Sequence, residues 1–303
     1  MRPIIPLFLI LFLASALFSV SDTFAQETVE YYQKSIYTSE GKTFKADTDL
    51  GNINVTGSSS DDVKIVITGN PDYKNNFNIS AVESSDGVDL KIIFKENIDH
   101  SYKNLSLSIN VSVPSSYSLD LKTKGGNIKA NNIKGEINIA SGGGNIKMNS
   151  ISGNTVLNTM GGNIAINSIN GNLNVVTQGG NILADEFKGN IKVETKGGNI
   201  TLAGSDGSVD ALTYGGNISV DYLGSNMGID LKTMAGNVTL KLPESTNADM
   251  KINTSVGKIV SDFITPEKSG QYSTSSSASG KINGGGSMIV LETNAGNIHL
   301  TKK

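Results

Sequence analysis

The chain has 303 residues, a formal net charge of −3, 34 glycines, 6 prolines, and neither cysteine nor tryptophan. Without cysteine there are no disulfides, thiolate metal sites, thiol catalysis or cysteine-linked lipid anchor, and without a basic excess nucleic acid is a poor partner. Abundant glycine lacks a Gly-X-Y period, which excludes collagen, and the 37% hydrophobic content is too regularly placed for a disordered chain.

Residues 1–25 read as a signal peptide. Arg2 supplies the positive start, residues 4–20 are an apolar run, and Thr23-Phe24-Ala25 puts small residues at the −3 and −1 sites. Cleavage after Ala25 leaves an exported chain, destined for the periplasm, the outer cell surface or secretion. The competing reading is an uncleaved anchor, for which this run is at the short limit of a span. No later stretch approaches transmembrane length.

Residues 26–121 carry alternating strands without a strict period, at 52–55, 63–68, 88–94 and 105–113. They read as irregular N-terminal β coils or a cap, since the terminal units of a solenoid are expected to be atypical.

Residues 122–242 are a repeat. Gly-Gly-Asn-Ile recurs with its asparagine at Asn127, Asn145, Asn163, Asn181, Asn199 and Asn217, each interval being eighteen residues. Looser copies sit at Asn52, Asn237 and Asn297, and a degenerate one at Val256-Gly257-Lys258-Ile259. A hydroxyl residue stands four places before each asparagine, as at Thr123, Ser141, Thr159 and Thr177. A weaker glycine motif follows nine residues on, as at Gly135-Glu136-Ile137 and Gly189-Asn190-Ile191. After each asparagine, apolar residues take positions +1 and +3 (Ile146/Met148, Ile164/Ile166, Ile200/Leu202) and polar residues mostly take +2 and +4. That is the period of a strand with one face inward. A third apolar column at +6 reads Ile133, Ile151, Ile169, Phe187 and Leu223, broken at Ser205. It occurs in one half of the unit only, so the repeat is eighteen and not nine. No proline interrupts residues 115–242, as a continuous ladder requires. The expected fold is all-β, a single-stranded parallel β-helix (a β-solenoid) of about 18 residues per coil, in which roughly eight coils stack into a rod about 40 Å long.

Two other solenoids fail on spacing. A hexapeptide helix needs an apolar residue every six, but from Ile146 those steps reach Ser152 and Asn158. A calcium-binding nonapeptide roll needs aspartate where this chain has Ala130, Met148, Ile166 and Ala184. Residues 243–303 read as irregular C-terminal coils, with the Ser/Gly-rich stretch from Ser269 to Ser287 as a long mobile loop and strand resuming at Met288.

The asparagine column from Asn127 to Asn217 reads as a structural ladder, because a residue present on every coil serves the coil. The outward column Asn131, Asn149, Asn167, Asp185 and Asp221, interrupted by Ala203, is the candidate ligand-binding face, suited to glycan hydroxyls. Its plainer reading is a solvated surface. Tyr214 and Tyr222 are expected to decorate corners. Catalysis needs acids converging in a cleft. Asp185 and Asp221 lie two coils apart, about 10 Å, Asp185 and Glu186 diverge, and Asp206 and Asp210 flank a turn. The one arginine is Arg2, and His100 and His299 lie outside the repeats. No catalytic residue, metal or cofactor is implied.

The exported N-terminus, Leu50-Gly51-Asn52-Ile53-Asn54-Val55, Val111-Ser112-Val113-Pro114, the Gly-Gly-Asn-Ile repeats and the terminal Gly296-Asn297-Ile298-His299-Leu300 together resemble the bacterial putative-adhesin family of β-strand-repeat envelope proteins, a domain of unknown function. The resemblance covers residues 40–303 and implies a right-handed β-helix, with no functional residues to carry over. The function expected is a non-enzymatic exported envelope or surface protein, an adhesin or binding scaffold for a glycan or an envelope protein. The alternatives are a self-associating structural element of the envelope and a polysaccharide-acting β-helix enzyme.

Overall fold

The computed structural model describes residues 28–96, 105–265, 267–268 and 274–303. Residues 1–27, which include the expected signal peptide, His100 and part of the Ser/Gly-rich stretch lie outside the described residues. The fold is all-β. The described strands form two sheets of 13 and 14 strands, here called A and B, with the core between them. Through the repeats the chain visits the sheets alternately. Sheet A receives Ile128–Ile133, Ile146–Ser152, Ile164–Asn170, Ile182–Lys188, Ile200–Ser205 and Ile218–Tyr222. Sheet B receives Ser118–Thr123, Ile137–Ser141, Thr155–Thr159, Leu173–Thr177, Ile191–Thr195 and Val209–Gly215. Neighbouring strands of these repeats are parallel, and Ile146 pairs with Ile164, which pairs with Ile182. Equivalent residues therefore stack in columns.

The columns explain the burial. Ile128, Ile146, Ile164, Ile182, Ile200 and Ile218 are all buried, as are their +3 partners and the facing Ile137, Ile139, Leu173 and Val175 of sheet B. A single residue makes the +6 column possible. At +5, Asn132, Ser150, Ser168 and Glu186 adopt φ of 57°, 57°, 60° and 53°. One left-handed residue reverses the alternation, so Ile133, Ile151, Ile169 and Phe187 turn inward.

The next two coils depart from the expected pattern. They have no left-handed residue at +5, so strict alternation carries position +5 inward. Gly204 then pairs with Phe187, and Tyr222 with Gly204. Tyr222 is consequently buried and Leu223 is 58% exposed, the reverse of the sequence expectation for both. Packing favours the exchange, because a Cβ on Gly204 would lie 2.5 Å from the Phe187 ring. The aromatic ring on each side fills the space that the glycine leaves. Tyr214 stays exposed.

The B-to-A corners hold the Gly-Gly pairs, and the two glycines are not equivalent. A Cβ on Gly144, Gly162 or Gly180 would meet the carbonyl oxygen of the equivalent glycine one coil back at 2.1–2.2 Å. At Gly143, Gly161 and Gly179 it would meet nothing within 4 Å. The hydroxyl column before the pair is buried and ties the corner to itself. Thr123, Ser141, Thr159 and Thr177 donate to the carbonyls of Gly125, Gly143, Gly161 and Gly179. From Thr195 onward the hydroxyl reaches the preceding coil instead, at Gly180, Gly198 and Gly216 for Thr195, Thr213 and Thr233.

At both ends spatial order parts from chain order. Thr43–Thr48 and Asn52–Ser58 lie between the coil of Gly87–Phe94 and Leu107–Pro114 and the first regular coil. Likewise Met288–Ala295 and Ile298–Lys302 are inserted between the coil of Ile229–Ala235 and Val238–Leu242 and that of Ala248–Val256 and Ile259–Ser261. The Ser/Gly-rich stretch is not all loop. Ser276–Ile282 is a strand pairing antiparallel with Ala248–Val256. Among the described strands of sheet B only the two-residue Glu267–Lys268 lies outside it, and the pairing of Ser276–Ile282 satisfies backbone groups of Ala248–Val256 that the sheet would otherwise leave open at this end.

Candidate functional site

The asparagines of the repeat motif are exposed at the B-to-A corner. The Oδ1 of each accepts the backbone N–H of its counterpart on the next coil at 2.8–2.9 Å, from Asn52 through Asn127, Asn145, Asn163, Asn181, Asn199, Asn217, Asn237 and Asn297 to Lys258. These bonds run from side chain to backbone, joining coil to coil. A shorter ladder of Asn154, Asn172, Asn190 and Ser208 occupies the opposite edge.

Asn131, Asn149, Asn167 and Asp185 stand on the outer face of sheet A in one register column, and Ala203 pairs with Asp221, but a register shift between Ala184 and Phe187 leaves Asp185 without a paired residue on the next coil. Asn167 donates to Asn149 at 3.1 Å, and Asp221 is held by Lys303 at 2.5 Å. The column is flat and its members do not converge. Across the rod, the outer face of sheet B brings Asp210 beside Asp230, a juxtaposition the chain order conceals because twenty residues separate them. Lys192 pairs with Asp210 at 3.6 Å and Lys232 with Asp230 at 2.7 Å, so both carboxylates belong to a surface charge network. Among the described residues no three His, Asp or Glu side chains gather as metal ligands. No described helix is long and apolar enough to cross a membrane.

A half-open polar site forms at the A-to-B edge near the C-terminus. Three connections meet there: 223–228, 243–247 and 283–287. They line a cavity of about 700 Å³ together with Asp206. Two asparagines stitch them. Asn226 donates to the carbonyls of Ser287 at 2.6 Å and Asn247 at 3.3 Å, and accepts from the N–H of Gly228 at 2.9 Å. Asn283 donates to the carbonyls of Glu244 and Thr246, both at 2.9 Å. Beside the cavity the buried Tyr222 hydroxyl lies 2.7 Å from the Gly207 carbonyl and 3.0 Å from the Ser225 carbonyl, with one proton to share between them, and accepts from the Gly207 N–H at 3.3 Å. Burial raises its pKa above the ordinary phenol value. Gly224 admits no side chain, since a Cβ would lie 2.9 Å from the Asp206 nitrogen. The sequence held two signs of this site: the interval from Asn217 to Asn237 is twenty rather than eighteen, and Gly284-Gly285-Gly286 breaks the strand pattern.

No curated protein matches the chain. Among solved structures, a putative adhesin of Bacteroides fragilis is similar at 20% identity, covering 71% of this chain and 97% of its own, with a TM-score of 0.49. A putative cell adhesion protein of Clostridium sporogenes is similar at 16% identity over 90% of this chain and 99% of its own, with a TM-score of 0.32. A putative lipid binding protein of Parabacteroides distasonis is similar at 12% identity over 89% of this chain and 96% of its own, with a TM-score of 0.43. The Toastrack DUF4097 family model matches residues 101–301, and the chain belongs to that family.

Proposed function

We propose that the protein is a non-enzymatic binding protein of the cell envelope or cell surface, exported by its N-terminal segment and acting as an adhesin or binding scaffold. The observation that carries this is where the repeat is broken. In the C-terminal part of the rod, connections 223–228, 243–247 and 283–287 all fall on the A-to-B edge. The B-to-A corners at Gly236, Gly257 and Gly296 keep the repeat spacing. Loops gathered on one edge of a solenoid are a usual form of a binding surface carried on a rigid scaffold; residues 274–276, which also depart from the repeat, lie instead at the opposite corner, where the Gly257 N–H donates to the Thr274 carbonyl. The repeated polar residues, by contrast, spend their hydrogen bonds holding coils together. In the same reading the chain winds as a single-stranded, right-handed parallel β-helix, the hand favoured for parallel strands joined by a crossover.

The enzymatic alternative is the weaker reading, because Asp210, Asp221 and Asp230 are paired with lysines on the outer sheet faces and Asp206 is the single carboxylate lining the cavity, with no second acid opposite it. The structural alternative predicts self-association without a ligand. Binding of the mature protein to immobilised glycans and to envelope fractions tests the proposal, with sedimentation run alongside. Retention on at least one surface by a monomer supports it. Assembly into multimers with no retention on any surface overturns it in favour of the structural element.

A further inference from the structure

We propose that the cavity at the A-to-B edge is a recognition site for a neutral, hydroxyl-rich sugar. This rests on the binding reading above and adds to it a place and a ligand class. The chemistry of the lining selects the ligand. Ser225, Ser245, Asn247 and Ser287 line the cavity, and their side chains make no hydrogen bond among the described residues. Each can both donate and accept, as vicinal hydroxyls require. Asp206 adds one carboxylate, occupied on one oxygen by the Ser205 hydroxyl at 2.8 Å. A carboxylate accepts from hydroxyls and repels anions, and no lysine lines the cavity. Phosphorylated, sulfated and uronic ligands are therefore disfavoured.

The surroundings fit the same class. Leu223 lines the cavity, Met227 follows Asn226, Met288 follows Ser287, and all three side chains are exposed. Apolar side chains beside a polar cavity suit a sugar ring, which offers C–H faces as well as hydroxyls. A lipid would require an apolar lining, which the cavity lacks. The site is also preorganised. Its loops are tied by Asn226 and Asn283 through backbone carbonyls, so the free side chains face the cavity without a ligand having to order the loops. A volume of about 700 Å³ is within the range of small-ligand sites.

The test is titration of the isotope-labelled mature chain with cellotriose, mannotriose and tri-N-acetylchitotriose, read by amide chemical shifts. Trigalacturonate and a polar serine-glycine hexapeptide serve as comparators. At least one neutral trisaccharide should shift the amides of Ser225, Asn247 and Ser287, and trigalacturonate should not. Asp206→Asn and Asn247→Ala should each weaken binding at least tenfold with melting temperature unchanged. Neither removes a stitch between the loops, because Asn247 takes part in them only through its backbone carbonyl. Saturable shifts elsewhere on the rod, unaffected by either variant, would overturn the site while leaving the binding reading intact. Occupancy by the hexapeptide instead, or no shift in these loops with any trisaccharide, would overturn the ligand class. If the same chain also fails to bind every glycan and envelope surface, the broader reading fails as well.

Discussion

Replacing Gly162 with alanine should damage the rod, whereas the same change at Gly161, its neighbour in the motif, should not. At Gly162 the backbone has φ of 95°, and an added Cβ would sit 2.1 Å from the carbonyl oxygen of Gly144. Clearing that oxygen needs a shift of roughly 1 Å in a corner bonded on both sides. The Asn163 N–H donates to Asn145 Oδ1 at 2.8 Å, and the Ile164 N–H to the Asn181 carbonyl at 2.9 Å. Losing one or two such bonds costs about 0.5–1.5 kcal/mol each, and the unfavourable φ adds on the order of 1–3 kcal/mol. The expected destabilisation is therefore about 1.5–6 kcal/mol. Gly161 lies outside the left-handed region with open space at its Cβ, so alanine there should be neutral or stabilise by up to about 1 kcal/mol. Denaturant unfolding of the mature chain followed by circular dichroism gives both midpoints. Because coils contact only their neighbours, hydrogen exchange in Gly162→Ala should accelerate first around residues 140–180. Midpoints within about 0.5 kcal/mol of each other would refute the argument from coil-to-coil contact.

Ile164→Asp places a carboxylate among the buried column isoleucines and should unfold the rod, while Asn167→Ala removes one exposed side-chain bond and should cost less than about 1 kcal/mol. Equal melting temperatures for Ile164→Asp and the parent would refute the inward assignment. Tyr222→Phe should cost about 1–2 kcal/mol, because it removes the one hydroxyl proton that the Gly207 and Ser225 carbonyls share. The raised pKa of Tyr222 means that its neutral form is the one the fold favours. Its contribution is complete below the unfolded value of 10.0 and is lost as pH rises toward the folded one, so a pH–stability profile should fall more steeply above pH 10 for the parent than for Tyr222→Phe. Truncation after Ser287 removes the coil sandwiched between Val238–Leu242 and Ile259–Ser261. Residues 248–261 and 276–282 should then lose exchange protection while residues 128–205 keep theirs, and uniform loss across the chain would contradict the inserted-coil topology.

What could be read along the chain was what recurs locally. The spacing of Ile128, Ile146, Ile164 and Ile182 marks columns because alternation depends only on neighbouring residues. The +6 column of Ile133, Ile151, Ile169 and Phe187 was legible for the same reason. Leu223 and Tyr222 were misplaced because their environment depends on the turn conformation in two successive coils. Nothing in Ala203-Gly204-Ser205 announces that the left-handed residue is missing. The outward acids Asp185 and Asp221 were visible as a column, yet Lys303, which holds Asp221, arrives from the far end of the chain.

Period and parity thus determined the two-faced strands, the eighteen-residue unit and the all-β class, since each is a property of short segments under the sterics of an extended chain. Tertiary structure decided the rest. It separated two glycines of identical motif, because only Gly162 faces a carbonyl of the neighbouring coil. It set the last coil between two earlier ones, and it drew three unrelated connections to one edge around Asp206. Each of those outcomes depends on which coil lies beside which. Backbone hydrogen bonds between segments distant in the chain settle that, and no local pattern encodes it.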